Sequence, residues 1–419
     1  SCCFIPVIVR ALSGWLDGER RRDSGHRPSM KMSAMAMATI RLRALLLSLF
    51  LVARSADAFA MRMASSITPT TSATAASTNR VAVVTGASRG IGRGIAVELG
   101  SAGYTVYVLG RSSRASRTAP DCQRPVAEGL ELTVESTAEE ITNRGGEGHA
   151  VPCDLSEDGV IEEIIENVAK EQGRLDVMVC SAYTTPSGTS LRGEFWKQGL
   201  DMWDAVNGVG LRQVYAACRA AAPHMIETAE KLPQNQPPLL CLVSSFGGKS
   251  YTFNVAYGVG KAAVDRLSTD MSYQLAKYGV ATTTLYPGLV KTEANLQMVE
   301  DGTWDEASGN LDLTKGESPE FSGRALVKLA SLDGEAMMAR SGKVEVVAEL
   351  AKEFDFYDLD GKRPPSIRSL QYLLPNFVFK QIENEAGKPV PDWIKDNVPD
   401  LLVPWSTFSS GPPPEMDTR

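Results

Sequence analysis

Histidine is almost missing from this chain, three in 419 residues, and cysteine is thin and scattered. Cys122, Cys153, Cys180, Cys218 and Cys241 fall in the body without a Cys-x-x-Cys pair or a cluster with histidine. A zinc site is therefore not expected, and an odd, dispersed set of thiols argues for a reducing compartment over a disulfide framework. A basic stripe is lacking too. The net charge is −7, and residues 1–80 hold 11 Lys/Arg against four Asp/Glu, which leaves the remainder at −14. So acidic a body is not expected to bind nucleic acid. Long apolar runs are also absent: Ala44 to Ala53 is too short to span a bilayer comfortably. What is present is 43% hydrophobic content, enough for one large core with appendages.

Residues 1–79 read as a targeting presequence outside the folded unit. The chain begins at Ser1, and Met30 or Met32 offers a start. Arg41 and Arg43 precede the Ala44–Ala53 run, which suits a signal-peptide core, and Ala56-Asp57-Ala58 offers a small-residue cleavage site. From Phe59 to Asn79 the chain has Arg62, many Ser, Thr and Ala, and no acidic residue, which is transit-peptide composition. Signal and transit segments in tandem resemble the bipartite presequences of secondary plastids. Plastid import is the first expectation, and the endoplasmic reticulum or secretion the alternative.

The body begins with chemistry. Val81-Ala82-Val83-Val84 is a short β-branched run readable as a buried strand. It leads into Thr85-Gly86-Ala87-Ser88-Arg89-Gly90-Ile91-Gly92 and then a helical pattern. Strand, glycine turn and helix in that order are the context of a dinucleotide fingerprint. Gly86 permits the tight turn, Gly90 lets backbone approach a pyrophosphate, and Gly92 allows close helix–strand packing. Far downstream, Tyr257 and Lys261 stand four apart on a predicted helix, hence on one face. An ammonium beside a phenol favours phenolate, so the spacing predicts a tyrosine whose pKa is drawn toward working pH.

Between these motifs strand and helix patterns alternate. Strands are expected at 81–85, 105–109, 149–153, 176–180, 239–244, 281–286 and 343–348, and helices at 91–102, 134–144, 157–172, 201–229 and 256–278. This pattern predicts an α/β fold with a doubly wound parallel sheet, its ligand at the carboxyl ends of the strands. A single catalytic domain is expected over 80–361, with a proline-bearing C-terminal extension over 362–419. Ser112 to Leu132 reads as an inserted surface loop.

The spacing Thr-Gly-x-x-x-Gly-x-Gly at Thr85–Gly92, followed by Tyr257-x-x-x-Lys261, resembles the short-chain dehydrogenases/reductases, over roughly residues 80 to 360. The resemblance implies a Rossmann-type fold and an NAD(P)-dependent oxidoreductase. Residues carried over to the cofactor are Gly86, Ser88, Arg89, Gly90, Ile91 and Gly92 in the loop. Asp154 after the third strand stands at an adenine-contacting position, although an aspartate there also suits a helix N-cap. Pro287-Gly288-Leu289-Val290-Lys291-Thr292 matches the family's Pro-Gly-x-x-x-Thr, which brackets the nicotinamide through Pro287, Val290 and Thr292. The second strand ends in Gly110-Arg111-Ser112 with no carboxylate to hold a ribose 2′-hydroxyl. Arg111, helped by Arg89, can pair with a 2′-phosphate instead, which makes NADP(H) the expected cofactor.

The resemblance also implies a mechanism. Hydride goes from NADPH to a small ketone or aldehyde, or back from an alcohol. Ser245 holds the oxygen, Tyr257 donates the proton, and Lys261 lowers the tyrosine pKa and grips the nicotinamide ribose. Ser244 competes with Ser245 for the first role. Glu293 to Ser318 reads as the substrate lid, and an oligomer of identical chains is implied by the resemblance alone.

Two departures stand out. The family's Asn-Asn-Ala-Gly after the fourth strand is here Cys180-Ser181-Ala182-Tyr183, so Cys180 replaces an amide that fixes the adenosine side of the cofactor. The asparagine of the family's catalytic tetrad aligns with Gly210, with Asn207 one turn earlier as an open substitute. They keep alive a rival reading, a catalytically weak dinucleotide-binding scaffold or redox sensor.

Overall fold

The computed structural model describes residues 80–118, 131–186, 192–231 and 236–408. The presequence expectation, and the part of the Ser112–Leu132 insertion over 119–130, lie outside the described residues.

Seven strands form one parallel sheet: β1 (Val81–Thr85), β2 (Thr105–Gly110), β3 (Glu147–Pro152), β4 (Val177–Cys180), β5 (Leu239–Val243), β6 (Ala281–Tyr286) and β7 (Lys343–Val346). Their spatial order is β3-β2-β1-β4-β5-β6-β7. Residues 81–85 of β1 are all buried because both faces of the sheet are covered. In register, Ala82 lies opposite Val106 on β2 and Val177 on β4.

The helices divide between the faces. Gly90–Ser101 (α1), Val134–Asn143 (α2), and two later helices, Pro319–Ala330 and Val347–Glu353, bury their apolar stripes on one side. Val160–Gln172 (α3), Gln213–Lys231 and Val255–Leu275 cover the other. Chain order then gives α4 (Leu200–Asn207), α5 (Gln213–Lys231), α6 (Val255–Leu275), α7 (Glu293–Glu300), α8 (Pro319–Ala330) and α9 (Val347–Glu353).

Several expected spans differ from those observed; the strand expected over 343–348 ends at Val346, where α9 begins. β3 begins at Glu147, two residues early, because an edge strand alternates polar residues that a search for apolar runs passes over. The helix expected over 201–229 is interrupted: Gly208–Arg212 winds as a π-turn between α4 and α5. Helix α8 was not among the expected helices, yet Phe321, Leu326 and Leu329 are fully buried on it, each contributing about 2 kcal/mol of burial.

Asp176, fully buried just before β4, accepts from the Val81 N–H at 2.8 Å and from Arg174 through two nitrogens, at 2.8 and 2.6 Å. Arg80 joins from 3.7 Å and donates to the Ala330 carbonyl at 2.6 Å. This pins the N-terminal ends of the central strands. At the opposite ends, the order reverses between β1 and β4, and the loops after them diverge into the crevice where such sheets bind ligands.

The described part of the C-terminal segment packs on the domain. Ile367, Tyr372 and Trp405 join Tyr286 and Val346 in one apolar cluster. Arg368 pairs with Glu349 of α9 at 2.5 Å and stacks over Trp405 at 4.7 Å.

Candidate active site

The loop from β1 to α1 has the shape its glycines permit. Gly86 lies at φ +67°, and a Cβ there would stand 2.7 Å from the Ala182 backbone of the loop after β4. A side chain at Gly92 would collide with the Gly86 carbonyl. Thr85, the first residue of the glycine motif, ties the two loops: its hydroxyl accepts from the Ser181 and Ala182 N–H groups at 3.0 and 3.2 Å. Ser88 is buried beside Gly110, and Ile91, in the first turn of α1, packs against the core.

Across the crevice, the segment after β6 closes on this loop. Val290 pairs with Glu317 in an isolated parallel bridge, and its carbonyl accepts from Asn295 at 2.8 Å. Thr292 caps α7 by accepting from the Asn295 N–H at 3.2 Å. The next residue, Glu293, accepts from the Gly90 N–H at 2.8 Å. A carboxylate thus sits at the positive end of α1, where a phosphate would also be stabilised.

Glu317 went unnoticed in the sequence, where an isolated glutamate carries no pattern. It is fully enclosed, and burial pushes its carboxyl up to about 8 despite the lowering contact with the Gly288 N–H. Its main chain clamps the Pro287–Thr292 segment, donating to the Leu289 carbonyl at 2.7 Å and accepting from the Lys291 N–H at 2.8 Å.

The catalytic candidates meet where β5 ends and α6 begins. The Tyr257 hydroxyl donates to Ser245 Oγ at 2.7 Å, and the same oxygen accepts the Gly247 N–H at 3.0 Å. Ser244 is directed elsewhere, donating to the Lys261 carbonyl at 3.2 Å, so of the two competing serines Ser245 is the one brought to the tyrosine. Asn254 caps α6 by accepting from the Tyr257 N–H at 2.8 Å, which fixes where the ring begins. Phe253, at the unusual φ of +62°, turns its ring edge to Tyr257 at 5.2 Å.

Lys261 lies one turn on, with Nζ donating to the Val243 carbonyl at 3.1 Å and 5.9 Å from the Tyr257 ring centre. Burial pulls its pKa down to about 8, partly opposed by Asp265 one further turn along. Burial pushes the Tyr257 phenol above its ordinary value, and the lowering influence comes from the Ser245 hydroxyl. The lysine spends its hydrogen bond on the strand.

The departures from the family pattern resolve into geometry. Cys180 is buried at the end of β4. Tyr183 swings over the active site, with its ring edge-on to Tyr257 at 5.8 Å and 5.4 Å from Lys261 Nζ. Asn207 is buried and donates to the Ala256 carbonyl at 3.4 Å, its carboxamide oxygen packed against Gly260. It docks α4 on α6.

At the far end of the crevice, Arg89 donates to Ser112 Oγ at 2.7 Å, and Arg111 is exposed after β2. Asp154 does not cap α3, whose N-cap is Gly159; it accepts instead from the Ser156 N–H at 2.8 Å in a local turn. Over the lid region, α7 exposes Leu296, Met298 and Val299, and Arg192 donates to the Ala307 carbonyl at 2.8 Å. Among the described residues no cluster of His, Cys, Asp and Glu could hold a metal ion, and no helix is long and apolar enough to cross a membrane.

A dinucleotide fits these residues. The glycine turn leaves no side chain over the α1 N-terminus, and Glu293 shows that end accepting an anionic oxygen. Comparison with known proteins agrees. The family described as short chain dehydrogenase matches residues 80–302. Dehydrogenase/reductase SDR family member 1 of Mus musculus is 37% identical over 302 residues, covering 70% of this chain and 88% of that protein. Its namesake in Homo sapiens is 35% identical over 305 residues with the same coverage. A solved short chain dehydrogenase from Mycobacterium paratuberculosis, bound to NAD, shares the fold at 20% identity with a TM-score of 0.51, covering 64% of this chain and 96% of that one.

Proposed function

The chain belongs to the short-chain dehydrogenase/reductase family and is an oxidoreductase, and from that premise we propose an NADP(H)-dependent carbonyl reductase or alcohol dehydrogenase acting on a small molecule. The observation that carries this reading is the 2.7 Å hydrogen bond from the Tyr257 hydroxyl to Ser245 Oγ beside the buried Lys261.

NADP(H) would be held by the Gly86–Gly92 loop, Arg89 and Arg111, and by Pro287, Val290 and Thr292; bound as NADPH, it supplies the hydride. This chain handles the proton. Ser245 Oγ accepts two hydrogen bonds, from Tyr257 and Gly247, so its own hydrogen can be given to a carbonyl oxygen. Tyr257 stays a neutral phenol at physiological pH because burial raises its pKa, which is the form a proton donor needs. As the Ser245 hydrogen passes to the substrate oxygen, the Tyr257 proton passes to Ser245 Oγ, and the phenolate left behind is stabilised by the hydrogen now on Ser245 and by the positive charge of Lys261. Stabilising the phenolate and lowering the tyrosine pKa are one free energy, so the Lys261 charge works against the burial that raises that pKa.

Tyr257→Phe tests the reading. NADPH oxidation against a panel of ketones and aldehydes should fall by about two to four orders of magnitude, with cofactor affinity retained. Comparable turnover in the mutant overturns the proton-donor role, and a wild type that binds NADPH without turning over any carbonyl points to a scaffold. Delivery to a plastid, with 1–79 removed, is proposed on the presequence composition; a mature N-terminus upstream of Ala58 would contradict it.

A further inference from the structure

Gly210 and Tyr183 are a matched pair. An ideal Cβ built at Gly210 would lie 3.3 Å from Tyr183 Cδ2, tighter than most side-chain contacts, and 3.7 Å from Cε2, ordinary van der Waals contact. A side chain at 210 would press on the ring, and glycine lets the tyrosine rest here without that shift. From there its π face meets Lys261 Nζ at 5.4 Å, within the range of a cation–π contact, and its edge packs Tyr257 at 5.8 Å. Asn207, one turn before Gly210, is committed to α6 through Ala256.

We propose that Tyr183 is a positioning residue that keeps Lys261 charged and close to Tyr257, its aromatic face standing in for the polar partner that Gly210 cannot supply. The inference rests on the proton-donor reading of Tyr257 and Lys261. Lys261 is surrounded by few groups that can stabilise its charge. Asp265 is on its own helix, but its carboxylate is shared with the Tyr286 hydroxyl of β6 and with Lys249 Nζ at 3.5 Å. Tyr257 is on its own helix too, as a neutral phenol, and the Val243 carbonyl of β5 takes one ammonium hydrogen. Against the desolvation that draws Lys261 down, the ring of Tyr183 supplies an attraction that needs no hydroxyl and no water.

That last point separates the role from packing. Tyr183→Phe keeps the π face and should leave the Lys261 titration and kcat within about twofold of wild type. Tyr183→Leu keeps apolar bulk at a residue more than a third exposed, so folding is not at stake. It should lower the Lys261 pKa by about half to one unit, the size of a partly desolvated cation–π contact. The readout is competitive acylation of Lys261 followed by mass spectrometry across pH, in the free protein, alongside the alkaline limb of kcat. Gly210→Asn should lose activity through the clash, and Tyr183→Gly combined with Gly210→Asn should recover it. Tyr183→Leu titrating at Lys261 as Tyr183→Phe does would overturn the proposal. That outcome is distinct from failure of the parent reading, which is decided by turnover in Tyr257→Phe, because the Lys261 titration is read without substrate.

Discussion

The N–H of Gly90 donates to the carboxylate of Glu293 at 2.8 Å, joining the first residue of α1 to the first residue of α7, 203 positions later in the chain. The phosphate-binding loop and the start of the lid are therefore one electrostatic unit. A dinucleotide phosphate would compete with this carboxylate for the same helix end. Glu293→Gln should tighten NADPH binding about two- to fivefold, the worth of one charge at a helix terminus, as measured by cofactor fluorescence titration. Weaker binding in the mutant would show that the carboxylate assists the cofactor.

Arg111 is the residue on which cofactor choice turns. Arg111→Glu should cut kcat/KM with NADPH by about ten- to a hundredfold, the loss of one or two charge-assisted hydrogen bonds, while NADH is used no worse than before. Equal losses with both cofactors would contradict the assignment.

Lys261 sets an alkaline limit. Its pKa, held down to about 8 by burial, means the ammonium fades above that pH and with it the stabilisation of the Tyr257 phenolate. The pH profile of kcat for carbonyl reduction should fall above about 8, and Lys261→Arg, whose guanidinium stays charged, should flatten that fall.

Glu317 gives stability the opposite kind of slope from an ordinary carboxylate. Its folded pKa of about 8 exceeds the carboxylate's usual value, so between roughly pH 4.5 and 8 the folded chain holds a proton that the unfolded chain has released. Stability from this group is complete at the acid end and is lost as pH rises through the window. Thermal unfolding of Glu317→Gln should lack that loss and retain a higher Tm near pH 8.

The buried Asp176 ties Val81, Arg174 and Arg80 together at the N-terminal ends of the central strands. Asp176→Ala leaves Arg80 and Arg174 without their shared partner and the Val81 N–H unpaired, and should cost about 3–5 kcal/mol in denaturant unfolding.

Local patterns were legible in the sequence, and contacts between distant segments were not. The β-branched run of β1, the glycine turn and the spacing of Tyr257 and Lys261 each lie within a few residues, so period and turn chemistry suffice to find them. Ser245 could not be separated from Ser244 that way, because the distinction is which hydroxyl meets a ring twelve residues later. The interruption at Gly208–Arg212 is invisible in an otherwise helical periodicity, and it is this turn that carries Gly210 to Tyr183. The hydrogen bond made by Lys261 was hidden for a similar reason. Spacing on a helix fixes that two side chains share a face, whereas the Val243 carbonyl that engages the ammonium belongs to β5.

Phe246, next to the Ser245 of the proposed site, packs against Phe408 at 4.8 Å and Trp405 at 6.5 Å. The same apolar cluster takes in Tyr286 of β6, Val346 of β7 and Ile367 beyond it. The wall behind the serine is thus assembled from segments far apart in the chain, so a substitution more than a hundred residues from Ser245 can shift its hydroxyl without touching the crevice.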